Sequence, residues 1–406
     1  MSRQLALQDL HYNKSCPNTA CQHNGPTKPR PAQHGLLTSL PLVFTLTPDH
    51  ADHALLHFNS HVLPQLKHSL SLALLHYLPL AGKLTWPPHV HIPTISNAPD
   101  DTVSLLVAES SADFNRLSGD YIRKSSESRH LIPELLSYDD RASCMALQIA
   151  LFSNQGLCIG VSMRHAVLDS ISAIAFMKSW AYLCTRLGKR QYPSLLPELT
   201  PFFDRTVIKD PVGLCSLYSK NWLDFMGNQR NLKVLEDFGV DRNSVRATFK
   251  LNVEDIKKFE EKISSSQPLH LSTFVVTCAY VLVCLVKARE GERKRVATVA
   301  VKISNIIREI DGKGLFEGAE ETLDKLKNWE EGEERISMGG SNKFTFCEVD
   351  YGWGRPKKVE IISIDRTGAF ALSRGGDGNS IEIGMVLSKH EMEIFKSLFV
   401  SGLQDL

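Results

Sequence analysis

The chain has 406 residues, 43% of them apolar, and a formal net charge of +1. This length is comfortable for two domains, and the nearly neutral charge argues against the broad basic surface that nucleic-acid binding uses. Nine cysteines, an odd and scattered set, favour free thiols in a reducing compartment, the cytosol, over a disulfide framework.

The first 38 residues are polar and show no apolar period, so we predict that they are disordered. No charged segment followed by an apolar block marks a secretory signal in them. Cys16, Cys21 and His23 lack a second pair of ligands, so we assign no zinc site to them.

A helix is predicted from Asp52 to Tyr77, with a kink or break at Pro64. Four histidines fall at intervals of three and four residues along its start: His50, His53, His57 and His61. Metal ligation would need a preorganised cluster, so a solvated helix face is the favoured interpretation. Short strands are predicted at Lys83 to Trp86 and at Thr102 to Val107.

Two strands, Cys144 to Phe152 and Leu157 to Met163, are predicted on either side of a tight turn. Apolar residues at helical spacing predict that a helix follows and ends at Gly188. His165 therefore lies at a strand end, in a short loop that opens a helix, where a neutral imidazole can take a proton from a hydroxyl. The alternative is a hydrogen-bonded loop histidine, with Asp169 as the helix cap.

Residues 191–240 contain four prolines and little periodicity, which indicates a crossover linker. A strand and two helices are predicted next: Val245 to Leu251, Glu254 to Ile263 and Ser272 to Ala288. The second helix contains the longest apolar run, which is too short to span a bilayer. Arg295 to Val301 is predicted as a strand, yet the pattern becomes helical by Arg308 with no turn residue between.

A strand from Lys343 to Val349 is predicted to lead into a glycine-rich turn, Asp350 to Pro356. In this turn Gly352 and Gly354 supply positive φ angles and Trp353 packs against a core. Three strands and an amphipathic helix complete the chain: Val359 to Asp365, Ala369 to Ser373, Ile381 to Leu387, and Lys389 to Leu403.

The segment His165-Ala-Val-Leu-Asp169 resembles the His-x-x-x-Asp motif of the BAHD acyltransferases, plant enzymes that move an acyl group from coenzyme A to an alcohol or amine. Asp350 to Gly354 resembles their second motif, Asp-Phe-Gly-Trp-Gly, with Tyr351 in place of phenylalanine. Other stretches are similar to the branch that malonylates anthocyanin, flavonoid and phenolic glucosides: Leu78-Pro-Leu-Ala-Gly-Lys-Leu84, Phe176-Met-Lys-Ser-Trp-Ala181 and Ile364-Asp-Arg-Thr-Gly368. The resemblance extends from about Ser39 to the C-terminus, with one gap.

The resemblance implies an α/β fold of two chloramphenicol-acetyltransferase-like domains, each a mixed sheet with helices, and an active-site channel between them. We place the N-terminal domain at 39–190, the crossover linker at 191–240 and the C-terminal domain at 241–406. It further implies a monomer that uses acyl-CoA, malonyl-CoA in this branch, as co-substrate and a small phenolic or flavonoid glucoside as acceptor. No tightly bound cofactor, metal, nucleic acid or membrane is expected.

The resemblance assigns His165 as the general base for transfer of malonyl to a sugar hydroxyl, a reaction of plant secondary metabolism, and Asp169 as the residue that positions the motif loop. The residues of the second motif are structural, on the coenzyme side: Asp350, Gly352, Trp353 and Gly354. Arg355, Lys357 and Lys358 either attract the coenzyme phosphates or form a solvated basic turn. Arg164, beside the motif, is a candidate for binding the malonyl carboxylate.

A block that family members have is missing near 296–310. Members carry several dozen further residues there, including a strand with a Tyr-Phe-Gly-Asn-Cys-like signature and an arginine that usually pairs with the motif aspartate. The chain also departs from the family at its N-terminus, where members have a strand that pairs into the first domain, and at Ser170, where glycine is common. These departures leave an alternative: a catalytically inactive relative that binds ligand without turnover.

Overall fold

The structure, a computed structural model, describes residues 4–5, 37–45, 54–187, 194–204, 206–207, 209–210, 213–225, 227–233, 243–264, 271–290, 296–312, 317–319, 336–366 and 369–404. Most of the segment predicted to be disordered, residues 6–36 with Cys16, Cys21 and His23, lies outside the described residues.

The strands are β1 (Gln4–Leu5), β2 (Leu37–Thr45), β3 (Lys83–Thr85), β4 (Thr94–Ser96), β5 (Ser104–Glu109), β6 (Arg123–Lys124), β7 (Arg141–Ser143), β8 (Met145–Phe152), β9 (Gly156–Arg164), β10 (Val245–Asn252), β11 (Met338–Gly340), β12 (Lys358–Val359), β13 (Phe370–Arg374) and β14 (Ser380–Leu387). The helices are α1 (Ala54–His57), α2 (Leu63–His76), α3 (Phe114–Leu117), α4 (Ser126–Arg129), α5 (Ser170–Arg186), α6 (Leu214–Phe225), α7 (Val253–Ser264), α8 (Thr273–Glu290), α9 (Val296–Asp311) and α10 (Lys389–Gln404). A π-helical turn, Phe58–Val62, joins α1 to α2 just before Pro64, whose missing N–H interrupts the helical hydrogen bonds there.

The first of two compact units is built on a six-stranded mixed sheet with the order β1-β5-β8-β9-β2-β12. β5 and β8 are parallel, whereas β9 is antiparallel to both β8 and β2. Every residue of β8 and β9 is buried, which explains their nearly continuous apolar sequences. β9 is therefore a central strand, fixed along its whole length by neighbours on both sides.

Helices α2 and α5 pack against each other in this unit. The Trp180 indole N–H of α5 lies 3.1 Å from the Leu66 carbonyl and 3.0 Å from the Ser69 hydroxyl, both on α2. The predicted helical period of α5 is confirmed, because the residues that carry it are buried: Ala173, Met177, Trp180 and Cys184.

The first unit also contains residues 345–363, which we predicted to belong to the C-terminal domain. They lie there because β12 pairs with β2, with Lys358 opposite Val43. Two predicted strands in this region are wrong. Residues 343–349 form turns with a 3₁₀ segment at Phe346–Glu348, and residues 359–365 give only the end of β12 and a 3₁₀ segment at Ile362–Arg366.

The second unit comprises 120–127, 237–344 and 364–406 and has a five-stranded mixed sheet in the order β11-β13-β14-β10-β6. β10 and β14 pair antiparallel from Val245 to Asn252, and β11 is parallel to β13. α8 is the predicted buried core helix, with Val276, Ala279 and Val281 fully buried. Both units therefore pack helices on a mixed sheet, and the predicted fold class is confirmed.

The predicted strand from Arg295 to Val301 is wrong, because Val296–Asp311 is one continuous helix, α9. Ala300 is buried, and Val296, Ile303 and Ile307 pack against the same core at intervals of three and four residues. The β-branched residues favour a strand locally, but only a helix buries this set against α8.

The N-terminal strand that the chain was expected to lack is present as β1, in which Gln4 and Leu5 pair antiparallel with Ala108 and Val107. Across the described part of the chain, the helices are too short or too polar to cross a membrane.

Candidate active site

His165 follows the last residue of β9 and lies five residues before the start of α5. The N–H groups of Val167 and Leu168 both donate to the Arg164 carbonyl, at 3.0 and 3.1 Å, so the chain reverses within one turn. Ala166 and Leu168 are buried, and His165 is half-buried. The predicted order of strand, short loop and helix is what the structure has, and it holds the imidazole on a rigid strand end.

Asp169 is the N-cap of α5. Its backbone is extended (φ −81°, ψ 172°), and its side-chain oxygen Oδ1 accepts the Ser172 N–H at 2.8 Å. A carboxylate there also interacts favourably with the positive end of the helix dipole. The capping role that we kept as an alternative is therefore present, and it fixes where the motif loop ends.

Arg164 has a fully buried side chain in the first unit. Its Nε donates to the Ser143 carbonyl at 3.2 Å and its Nη2 donates to the Ser137 hydroxyl at 2.5 Å. Burial disfavours the charge and lowers the pKa of this guanidinium to about 10, so it stays protonated at neutral pH. The structure thus contradicts our interpretation of Arg164 as a carboxylate ligand, because the group is buried among these acceptors.

The second motif forms the predicted glycine-rich turn. Asp350 Oδ1 accepts the N–H groups of Gly352, at 2.7 Å, and Gly354, at 3.0 Å. Both glycines have positive φ, +104° and +93°, which a side chain would strain. Trp353 packs edge-on against Phe44 of β2, with ring centroids 6.0 Å apart.

Tyr351 lies at the centre of an aromatic cluster. Its ring centroid lies 5.0 Å from that of Trp180 and 5.7 Å from that of Phe44, and both contacts are edge-on. Its hydroxyl is buried with no hydrogen-bond partner among the described residues, and burial raises the pKa of this phenol well above its usual value. The family's phenylalanine has no such hydroxyl to desolvate.

The two motifs contact different parts of α5. His165 precedes its first turn, whereas the second motif lies against Trp180 and near Thr185. Lys178 of α5 also binds Glu348, just before the motif, at 2.7 Å. At 1.5 Å per residue these contacts are ~12–22 Å along the helix from its start. The second motif is thus placed to fix the helix that follows His165.

The basic residues after the second motif differ from one another in exposure. Lys358 is buried within β12, so it is not part of a solvated basic turn. Arg355 and Lys357 are exposed, and Lys357 Nζ lies 5.3 Å from the Phe114 ring centre. Attraction of coenzyme phosphates by these two residues stays a prediction.

Two of the four histidines in the histidine-rich segment lie within the described residues. His57 and His61 stack with ring centroids 5.1 Å apart, whereas His50 and His53 lie outside the described residues. Within the described ranges, His, Cys, Asp and Glu side chains form no group of three or more that could hold a metal.

The fold of this chain has a counterpart among solved structures. It superposes on the crystal structure of vinorine synthase with a TM-score of 0.70, covering 97% of this chain and 96% of that one, at 16% sequence identity. A family model described as "Transferase family" matches residues 50–311 and 298–401. The chain therefore belongs to this family, the BAHD acyltransferases, enzymes that transfer acyl groups.

Two relatives from Arabidopsis thaliana are each 36% identical. One is malonyl-CoA:anthocyanidin 5-O-glucoside-6''-O-malonyltransferase, aligned over 399 residues that cover 85% of this chain and 88% of the relative. The other is phenolic glucoside malonyltransferase 1, aligned over 414 residues that cover 86% of this chain and 87% of the relative. The predicted resemblance to the malonyltransferase branch is confirmed at this level.

The first alignment also contains gaps on the side of this chain. It has 399 positions but covers 85% of 406 residues, about 345, so the relative has roughly fifty positions that this chain lacks. The two matches to the family model meet at 298–311, which is most of α9. The split of the family match points to a gap at this helix, and the total of roughly fifty unmatched positions leaves room for one of several dozen residues.

Sequence reasoning missed the contacts that hold Arg164, the residue before the histidine. The partners of Arg164 come from residues 137 and 143, and neither carries a motif. The one available signal was the sequence Gly160, Ser162 and Arg164, which puts small or polar residues on one face of an otherwise apolar strand.

Proposed function

We propose that this protein transfers a malonyl group from malonyl-CoA to a sugar hydroxyl of a phenolic or flavonoid glucoside, with His165 as the general base. The observation that carries the proposal is the half-buried imidazole at the end of the central strand β9, between the strand and the N-cap of α5. The names of the 36%-identical relatives support the choice of donor and acceptor.

In the proposed reaction the neutral imidazole of His165 takes the proton of the acceptor hydroxyl. The hydroxyl oxygen attacks the thioester carbonyl carbon, and the carbonyl electron pair moves onto oxygen. When the tetrahedral intermediate collapses, the carbon–sulfur bond breaks and the coenzyme thiolate takes the proton back from His165. The products are a malonate ester and free coenzyme A, and no side chain of the enzyme is acylated.

The proposal includes a monomer in the cytosol with acyl-CoA as co-substrate and no tightly bound cofactor. The described cysteines support a reducing compartment, because all seven are free thiols and six are buried.

The direct test incubates purified protein with malonyl-CoA and a panel of phenolic glucosides. Mass spectrometry should detect a malonylated glucoside, and a thiol reagent should detect an equal amount of free coenzyme A. Acetyl-CoA and p-coumaroyl-CoA in parallel reactions measure the donor preference. Release of thiol without an acylated glucoside would contradict transfer.

The base assignment is tested by His165→Ala. A general base contributes roughly 10²- to 10⁴-fold in rate, so we expect kcat to fall by at least the lower figure. The melting temperature should change little, because the side chain is half-buried in a loop. His91→Ala, at an exposed histidine, is the matched control. A His165→Ala enzyme with the parental kcat would reject the assignment.

A second candidate function is ligand binding without turnover. The observation that favours it is the gap that the split family match places at α9. Thermal shift separates the two candidates when it is combined with the transfer assay. Stabilisation by malonyl-CoA with no product over the whole glucoside panel would favour the binding protein.

A further inference from the structure

We propose that Arg164 is a positioning residue for His165: it ties the end of β9 to a segment of chain, residues 131–137, that we call the strap. This inference rests on the proposed role of His165 as the base.

The strap runs along one face of β9. Gly160, Ser162 and Arg164 share that face, because alternate residues of a strand point to the same side. A side chain at Gly160 would meet the Leu131 carbonyl oxygen, 1.9 Å from an added Cβ, so the strap backbone lies directly on the strand there. Ser162 Oγ then donates to the Pro133 carbonyl at 2.7 Å.

Arg164 makes the last contact of this series, at the end next to His165. Its Nη2 reaches Ser137 in the strap, and its Nε reaches the carbonyl of Ser143 in β7. Its backbone N–H also donates to the Cys144 carbonyl at 3.0 Å. The residue before the histidine therefore joins the end of β9 to two segments of the first unit, the strap and residues 143–144.

The guanidinium is suited to this role by its shape. Two N–H groups of one rigid plane reach two acceptors on different segments, which a lysine ammonium on a flexible stem cannot reproduce with the same geometry. The Arg164 carbonyl also accepts both N–H groups of the turn after His165. A shift of the strand end therefore moves the imidazole with it, and a misplacement of about 1 Å costs roughly 10²-fold in rate.

The test compares Arg164→Lys, Arg164→Met and Ser137→Ala with Ser162→Ala, a matched control that removes a strap contact two residues further from His165. We expect Arg164→Met to lower kcat by about 10²-fold with little change in the KM of either substrate. Arg164→Lys and Ser137→Ala should lose less, and the pair Arg164→Met with Ser137→Ala should be no slower than Arg164→Met alone. Ser162→Ala should lower the melting temperature and leave kcat unchanged.

A second readout does not depend on turnover. The imidazole ¹H–¹⁵N resonances of His165, identified by their loss in His165→Ala, should broaden or split in Ser137→Ala and in Arg164→Met, and should keep their parental form in Ser162→Ala. Ser137→Ala keeps the test valid where Arg164→Met does not fold.

Parental resonances in Ser137→Ala, or a kcat loss in Ser162→Ala equal to that of the Arg164 variants, would overturn the positioning role and leave a structural strap. Full activity in His165→Ala would instead reject the proposed base, which is a different result from any expected for Arg164.

Discussion

The Tyr351 hydroxyl is a single-residue departure from the family's second motif, and it has a predicted cost. It is buried beside Trp180 and Phe44 with no hydrogen-bond partner among the described residues. Leaving a buried polar group unsatisfied costs about 1–3 kcal/mol. We therefore expect Tyr351→Phe to raise the free energy of unfolding, by about 1 kcal/mol, in urea denaturation followed by far-ultraviolet circular dichroism.

Tyr77, the C-cap residue of α2, provides the matched control, because its hydroxyl has hydrogen-bond partners. Its hydroxyl donates to the Leu199 carbonyl at 2.9 Å and lies 3.1 Å from the Ser179 hydroxyl. Tyr77→Phe should therefore lower the free energy of unfolding by about 0.5–1.5 kcal/mol, with the opposite sign to Tyr351→Phe. Two losses of equal size would show that the Tyr351 hydroxyl has a partner.

At the scale of single residues, the sequence predicted the position of His165 but not the role of Arg164. The position of His165 follows from local patterns, because strand alternation, the short loop and helix spacing are all encoded within about twenty residues. The role of Arg164 depends on residues 137 and 143, whose contacts with it are set by tertiary packing. A charged residue next to a motif is ordinarily predicted to bind ligand, and burial is what reverses that prediction here.

At the scale of one element, Asp169 caps α5 and its charge acts on the helix dipole. Asp169→Ala removes the bond to the Ser172 N–H and should cost about 1 kcal/mol. Asp169→Asn keeps a good cap but removes the charge, so its stability loss should be smaller, about 0.3–1 kcal/mol. If the Asp169 side chain also positions the motif loop, kcat should fall in both variants. The fall should be larger in Asp169→Ala than in Asp169→Asn.

Asp113 is the control for this prediction. It caps α3 through the same kind of hydrogen bond, its Oδ1 accepting the Arg116 N–H three residues on at 3.0 Å, but lies outside both motifs. Asp113→Ala should lower stability and leave kcat unchanged. An Asp169→Ala enzyme with parental kcat and a lower melting temperature would reduce Asp169 to a cap alone.

Elements were predictable where one period dominated the sequence. β8, β9, α5 and α8 have clear apolar patterns and formed as predicted. α9 did not, because its first residues are β-branched and its helical period becomes evident only beside α8. Residues 343–349 alternate like a strand, yet they end in a 3₁₀ segment whose Glu348 binds Lys178, a partner 170 positions away.

At the scale of the whole molecule, the two compact units do not correspond to two consecutive stretches of the sequence. Residues 120–127 belong to the second unit and 345–363 to the first. The strands that place them there, β6 and β12, have two residues each. Two residues carry no detectable period. The resemblance therefore led us to predict two consecutive domains, whereas each unit is built from separate segments of the chain.

Buried thiols allow the stability of each unit to be measured separately. Burial raises the pKa of Cys144 and Cys278 to about 12, and a thiol alkylates only as the thiolate, so labelling should require unfolding. Cys144 and Cys184 report on the first unit, and Cys278 and Cys284 on the second. If the gap at α9 has reduced the second core, its cysteines should react with iodoacetamide at lower urea.

A buried ion pair in the second unit can show which unit unfolds when its cysteines become reactive in urea. Arg246 Nη1 and Asp365 Oδ1 lie 3.4 Å apart in the second unit, and both side chains are buried. Removing one partner of a buried pair costs about 3–5 kcal/mol, so Asp365→Ala should lower the urea midpoint of Cys278 and Cys284 labelling and leave that of Cys144 unchanged.

The double variant Arg246→Met with Asp365→Leu should recover most of that loss, because the cost comes from leaving one buried charge without its counter-ion. A double variant as unstable as Asp365→Ala would instead assign the loss to packing. Identical midpoints for the thiols of both units, in the parent and in Asp365→Ala, would show that the chain unfolds as one cooperative system.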